Sequence, residues 1–255
     1  MLYALYTDLL TPSSVDVTAG TEDAAYPKAN IYDRKAYSVG RFTGTSGTYR
    51  QTFGSSKTAQ AAVFINTNAT AIQLTNAAGL SVAATIPSTP ADGLPIDIWI
   101  DLRDVANTSS NAWSAAFTGP TGVGIGEWIL IETLRSVEVL WDPHPIETEQ
   151  HAISHQETDY GVDLDYSFGV RQRGATISAR GDTARDTFLA IERAQRGRFY
   201  PFVIIPNESL NDALFVKLSS DVMQITPTAP GADDFSTYVS DVTVSVREQQ
   251  KGLAL

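Results

Sequence analysis

Two histidines four residues apart, His151 and His155, stand among the carboxylates Glu147, Glu149, Glu157 and Asp159. On a helix this spacing puts both imidazoles on one face, where they could ligate a metal. Ala152-Ile153-Ser154 gives a helix little support and no third ligand is placed, so the segment reads as a solvated linker. Two carboxylate pairs, Asp97 with Asp101 and Asp163 with Asp165, lie at strand spacing. Alternation puts each pair on one outer face, whereas a glycosidase needs its two carboxyls across a cleft. No G-x-S-x-G occurs, and His144, His151 and His155 leave few general bases for a serine nucleophile. The stretch Gly119-Pro120-Thr121-Gly122-Val123-Gly124-Ile125-Gly126 lacks the Lys-Ser/Thr of a phosphate loop. It also leads into a strand, so no helix N-terminus awaits an anion. With no cysteine in the chain, thiolate metal sites, cysteine nucleophiles and disulfides are excluded. The expectation is a protein that is not an enzyme, with no cofactor and no metal.

The formal net charge of −11 argues against nucleic acid as a direct partner, because phosphate contacts need clustered Lys and Arg. No apolar run approaches the roughly 20 residues of a membrane-spanning helix, and the first residues lack a basic leader. Synthesis as a soluble chain in the cytoplasm, with no membrane insertion, is expected.

Short strand-like runs bounded by Gly, Pro, Ser, Thr and Asn must position these groups. Ile96, Ile98 and Ile100 alternate with Asp97, Trp99 and Asp101. Asp142-Pro143-His144-Pro145 cannot continue a central strand, and the polar stretch 147–159 follows, so a boundary is set near residue 148. Beyond it, Tyr160, Val162, Leu164, Tyr166 and Phe168 form one face of a strand, with residues 170–180 expected as its hairpin partner after a turn at Gly169. One helix is predicted over 183–196. Thr183-x-x-Asp186 reads as its capping box, Ala184, Phe188, Ile191 and Ala194 as its apolar stripe, and Gly197 as its stop. Phe202–Ile205, bounded by Pro201 and Pro206, then reads as a strand covered on both faces, by the helix on one side and by a sheet on the other.

Two segments resemble phage tail proteins. "DTARDTFLAIERAQRGRFYPFVIIPNE" is similar to the helix that leads into an R-x-F/Y-P-F-hydrophobic-P strand in tail-tip and distal-tail-type baseplate proteins. "YVSDVTVSVREQ" resembles the closing strand of that β-sandwich. Upstream, "YPKANIYDRKAYSVGRFTG" with "GTYRQTFGSSKTAQAAVFINTNAT" resembles the start of galactose-binding-like (discoidin-like) jelly-rolls, except that Tyr49-Arg50-Gln51-Thr52-Phe53 replaces the usual Trp-rich strand. The resemblance implies a mainly β fold: a jelly-roll β-sandwich over 1–148 and a tail-ring-type β-sandwich or barrel with one α-helix over 149–255.

The implied function is that of a virion structural protein in the phage tail tip or baseplate. Copies would form a cyclic oligomeric ring that links the tail tube to hub or receptor-binding proteins. The alternative is a carbohydrate-binding module that attaches to host surface glycans, with Tyr32, Tyr37 and Trp113 as stacking platforms. Asp33 sits where such jelly-rolls carry a structural calcium ligand or a turn. One carboxylate is too few for an ion that takes roughly 6–8 oxygens.

Charge supplies the interface expectation. From 171 to 198 there are seven arginines (Arg171, Arg173, Arg180, Arg185, Arg193, Arg196, Arg198) against three acids. Glu157, Asp159, Asp163 and Asp165 precede them. Either the Arg belt of one subunit meets the acidic strand of the next, or Asp and Arg face each other across one hairpin.

Overall fold

The computed structural model describes residues 2–5, 9–35, 37–84, 86, 95–137, 146–150, 153–157, 163–167, 172–195, 201–205, 213–219, 224–228 and 239–248. In chain order the elements begin with β1 (Leu2–Leu5), β2 (Leu9–Leu10), β3 (Ser14–Ala19), the 3-10 turn η1 (Lys28–Tyr32), β4 (Gly40–Arg41), β5 (Ser46–Thr58) and β6 (Ala61–Thr67). Next come β7 (Ala71–Asn76), β8 (Ser81–Ala83), β9 (Ile96–Asp101), β10 (Ser109–Thr118), β11 (Gly124–Ile131) and β12 (Arg135–Val137). The second half contains β13 (Ile146–Gln150), β14 (Ile153–Glu157), β15 (Asp163–Ser167), β16 (Gln172–Arg180) and the helix α1 (Asp182–Gln195). The final strands are β17 (Phe202–Ile205), β18 (Leu214–Leu218), β19 (Gln224–Thr228) and β20 (Val239–Glu248). The fold is mainly β, with an N-terminal jelly-roll sandwich and a C-terminal sheet carrying the helix.

The jelly-roll is two five-stranded sheets, β3-β5-β10-β7-β8 and β2-β11-β6-β9, with β4 paired to β11. Alternation in β5 and β10 sends Tyr49, Phe53, Trp113, Ala115 and Phe117 inward, where they meet Phe64, Ile98, Ile100, Trp128 and Leu130 of the other sheet. Strands β6 and β11 are buried along their whole length, because their second face is covered too. Ala61, Val63, Ile65, Trp99, Ile129 and Ile131 pack against Val203, Ile205, Ala213 and Phe215. Those four residues belong to or adjoin β17 and β18 of an eight-stranded sheet in the order β12-β1-β17-β18-β20-β16-β13, with β19 beside β20. The outer face of that sheet holds the third core, in which Phe202, Ile204, Val216, Val242, Val244 and Val246 pack against Ala184, Phe188 and Ile191 of α1. The layers are therefore sheet, sheet, sheet and helix. Phe202–Ile205 is covered on both faces as expected, and the sheet that faces it is the jelly-roll's own. At about 1.5–3 kcal/mol per fully buried large apolar side chain, each side chain in this shared layer helps join the two halves.

Several local expectations change. Strand β1 pairs with β17 and with β12, so by hydrogen bonding the first strand and the strand at 135–137, both before the boundary set near 148, belong to the second sheet. The stretch read as a solvated linker forms β13 and β14. Its polar composition suits a strand with little apolar surface to bury. Residues 170–180 are not the hairpin partner of 160–168. β15 pairs with β14, and β16 pairs with β13 and β20. Because β13 leads into β14 and β15 leads into β16, one long hairpin is rooted in the eight-stranded sheet. Its outer part, β14–β15, forms a separate two-stranded sheet among the described residues. The helix starts one residue before the predicted cap, after Gly181 at φ 100°. Asp186 accepts hydrogen bonds from Arg185 at 3.0 Å, and Arg185 also pairs with Asp182 at 2.9 Å.

Candidate functional site

The connection from β3 to β5, residues 20–45, is long for a compact domain, and long ordered loops are commonly functional. It is zipped to itself. Asp23 N–H donates to Arg41 O, Arg41 N–H to Tyr26 O, and Thr43 N–H to Thr21 O, at 2.9, 3.0 and 2.9 Å. Glu22 and Phe42 form a bridge, and the Asn30 amide donates to Val39 O at 2.9 Å. Phe42, inward and fully buried, anchors this zipper on Tyr49 with ring centroids 4.4 Å apart.

On the zipper's outer side the Arg41 guanidinium carbon sits 3.8 Å from the Tyr26 ring centroid. Its Nε and Nη2 donate to one Asp23 oxygen at 3.1 and 2.7 Å. These bonds hold the Asp23 carboxyl below the ordinary carboxylate range, helped by the Ala25 N–H. Beside them, the side chain of Arg41 runs along Gly122, which adopts φ 81°. Both members of the ion pair stay partly open, with side chains 24% and 22% exposed. The result is a fixed guanidinium, a carboxylate and an aromatic face at the loop end of the sandwich. Such a set can make paired hydrogen bonds to neighbouring hydroxyls and stack on an apolar ring face.

Beneath the same loop, Glu127 is a fully buried acid in the otherwise apolar strand β11. The Lys35 N–H donates both to Glu127 Oε1 at 2.8 Å and to Asp33 Oδ1 at 3.0 Å, while Glu127 Oε2 has no hydrogen-bond partner. Burial, with the neighbouring Asp33 carboxyl adding to it, pushes the Glu127 carboxyl up to about 8, against the opposing pull of the Arg34 charge and the Lys35 N–H. Arg34 adopts φ 64° and donates to Leu10 O at 3.4 Å. The Lys35 ammonium lies 4.0 Å from Asp33. Asp33 thus has a second carboxylate near it, but this donor set does not fit calcium. The backbone N–H directed at both carboxylates, the Arg34 guanidinium and the Lys35 ammonium are donors and cations, not the oxygens such an ion takes. No group of three or more potential metal ligands forms among the described residues.

The residues singled out in the sequence are scattered. Trp113 is fully buried, and its indole N–H donates to Ser110 O at 3.1 Å. It is a core residue and no surface platform. Tyr32 is half-buried against the jelly-roll core, and Tyr37 is 56% exposed. Asp97 is buried and accepts the Asn66 N–H at 2.7 Å, because the face expected to be solvated is covered. Asp101 instead binds Arg103. His155 lies on a strand opposite Asp165, and Glu157 lies opposite Asp163, which removes the helical spacing that suggested a metal. The same register excludes Arg opposite Asp163 or Asp165 across a hairpin. Arg173 stands opposite Glu149, and Arg193 is exposed near the end of α1. His151, Arg171, Arg196 and Arg198 lie outside the described residues. Of the glycine-rich stretch, residues 119–123 form the loop, and Gly124 opens β11 with its N–H donated to Asn68 at 2.9 Å. Asp23, Tyr26, Arg34, Arg41 and Glu127 were missed. Glu127 alone left a legible sign, a single acid inside "GIGEWILI".

No protein-family model and no curated protein matches this chain. Among solved structures, the chain is similar to a fucose binding module of Streptococcus pneumoniae, SpX-3, at 12% identity, 51% of this chain, 99% of that one and a TM-score of 0.38. It is similar to CBM32 of AlyQ, solved in complex with 4,5-unsaturated mannuronic acid, at 15% identity, 49% and 98% coverage and a TM-score of 0.37. Reduced XRCC1, solved bound to the DNA pol beta catalytic domain, is similar at 9% identity, 51% and 99% coverage and a TM-score of 0.37. At these identities no residue correspondence follows.

Proposed function

We propose that this chain is a non-catalytic attachment protein whose jelly-roll recognises a surface glycan through the loop between β3 and β5. The observation that carries this reading is Arg41, held over Tyr26 at 3.8 Å and fixed by Asp23 while still partly exposed. Sugars offer vicinal hydroxyls and apolar ring faces. A pre-set arginine beside an aromatic meets both without ordering a flexible side chain on binding. Tyr37, on the same loop, is a second exposed aromatic. Glycan-array binding by the intact chain, compared with Arg41→Ala and Tyr26→Ala, tests the reading.

A second reading is favoured by the β14–β15 ribbon. Its register sets Glu157 opposite Asp163 and His155 opposite Asp165. Like charges directly opposed weaken a strand pair, and an isolated two-stranded ribbon is marginal alone. A cationic surface from another subunit would relieve both. In this reading the chain is a virion structural protein of a phage tail tip. The Arg-rich segment 171–198 of each copy receives the acidic ribbon of the next in a cyclic ring, on which other tail proteins assemble. The two readings combine if the ring displays the jelly-roll toward a host glycan.

A further inference from the structure

Resting on the ring reading, we infer that the cross-strand pair Lys217 and Arg247 is the seat for the acidic ribbon of a second copy. Lys217 of β18 stands directly opposite Arg247 of β20. Both lie on the face of the eight-stranded sheet turned away from α1, since their chain neighbours Val216, Leu218 and Val246 pack against the helix. Lys217 is partly exposed and Arg247 is exposed. Directly opposed partners carry their side chains about 5 Å apart on one face, and like charges in that position weaken the pair. No acid stands beside them to offset this. In the same row, Arg247 is opposite Gly174 of β16, and Gly174 is opposite Thr148 of β13. The next row holds hydroxyls, with Thr176 and Ser245 oxygens 3.2 Å apart. The ion pairs formed among the described residues leave both cations out.

Three arginines of the belt at 171–198 are, by contrast, matched inside their own chain. Arg173 stands opposite Glu149 and Arg180 opposite Asp241, and Arg185 binds Asp182 and Asp186. The opposed cations beside the belt, one strand across from Gly174, are what an incoming acid meets. The ribbon offers the complementary arrangement. Glu157 and Asp163 are directly opposed across β14 and β15, so they share the cross-strand separation of the two cations. Set together, each pair removes the repulsion within the other, and the Arg247 fork can take a carboxylate with two bonds. The ribbon continues β13 and β16 beyond Gln150 and Gln172, so reaching another copy needs no bending back over its own sheet. Ribbon and seat are different surfaces, which makes the contact head-to-tail, the kind that closes into a ring.

The test is light scattering on the intact chain, as wild type and as two charge-reversed variants. One carries Lys217→Glu with Arg247→Glu, the other Glu157→Lys with Asp163→Lys. Wild type is expected as a large species that weakens in high salt. Each variant alone should be monomeric where wild type is fully assembled, with unchanged circular dichroism. Mixed in equal amounts the two should assemble again, because every seat then finds a ribbon of opposite charge. If the first variant does not fold, Lys217→Gln with Arg247→Gln tests the loss instead. A monomeric wild type would remove the ring reading itself, and this contact with it. Assembly that survives in a folded Lys217 and Arg247 variant would overturn the contact and leave the ring reading standing. So would a mixture of the two reversed variants that stays monomeric.

Discussion

Arg41 and Tyr26 form one stacked unit, with the guanidinium carbon 3.8 Å from the ring centroid and Asp23 bonded to the guanidinium edge. Because Arg41 N–H also donates to Tyr26 O, backbone and side chain fix the same pair. Arg41→Lys should keep the charge but lose the planar fork and much of the stacking. We expect its glycan binding to fall about tenfold or more, for the loss of roughly 1.4 kcal/mol. Its melting temperature should shift by only a few degrees. Isothermal titration with the best array ligand measures the first and calorimetry the second.

The shared layer between the jelly-roll and the second sheet should make the halves unfold as one cooperative unit. Phe215→Ala removes a fully buried ring from that layer and should cost about 3–5 kcal/mol. Scanning calorimetry should show a single transition in both wild type and variant. Two separate transitions would show that the layer does not couple the halves. A chain ended at residue 148 would expose Val63, Trp99 and Ile129, and aggregation is the expected outcome.

The fold was legible wherever a residue's burial follows from its own strand. Ile96–Asp101 and Phe202–Ile205 match their predicted bounds, because alternation or flanking prolines mark them. What covers a second face was not legible. The sequence shows that Trp99 and Val203 are apolar, but not that they share one buried layer, since that packing joins sheets whose strands are remote in the chain. The same gap hid the burial of Asp97. For β13 and β14, Glu, Thr, Gln, His and Ser give no apolar alternation, so strands look like a linker. Composition cannot separate a tryptophan that stacks on a sugar from one that fills a core, which is why Trp113 misled. Arg41 and Asp23 meet only because the loop folds back on itself, and no local spacing signals that.

Glu127 should make stability depend on pH. Its folded pKa, about 8, lies above the ordinary glutamate value of 4.5, so the folded state keeps a proton that the unfolded chain releases. The stabilisation is complete below the unfolded pKa and is lost as pH rises through the folded one, by on the order of a few kcal/mol. Glu127→Gln cannot release a proton, so its melting temperature should overtake that of wild type between about pH 5 and about pH 9. Parallel curves across that range would contradict the assignment.

The ribbon reading predicts an effect on assembly without an effect on folding. Asp163→Lys together with Asp165→Lys should abolish any large species seen by light scattering, with unchanged circular dichroism. Intact assembly by a folded double variant would remove the ribbon from the interface.

Glycan recognition by the β3–β5 loop is tested most directly by a glycan array probed with the intact wild-type chain and with Arg41→Ala, both checked for an unchanged fold. The account predicts a defined set of glycans bound by wild type and lost in the variant. No glycan bound by wild type, or the same set retained by Arg41→Ala, would contradict it.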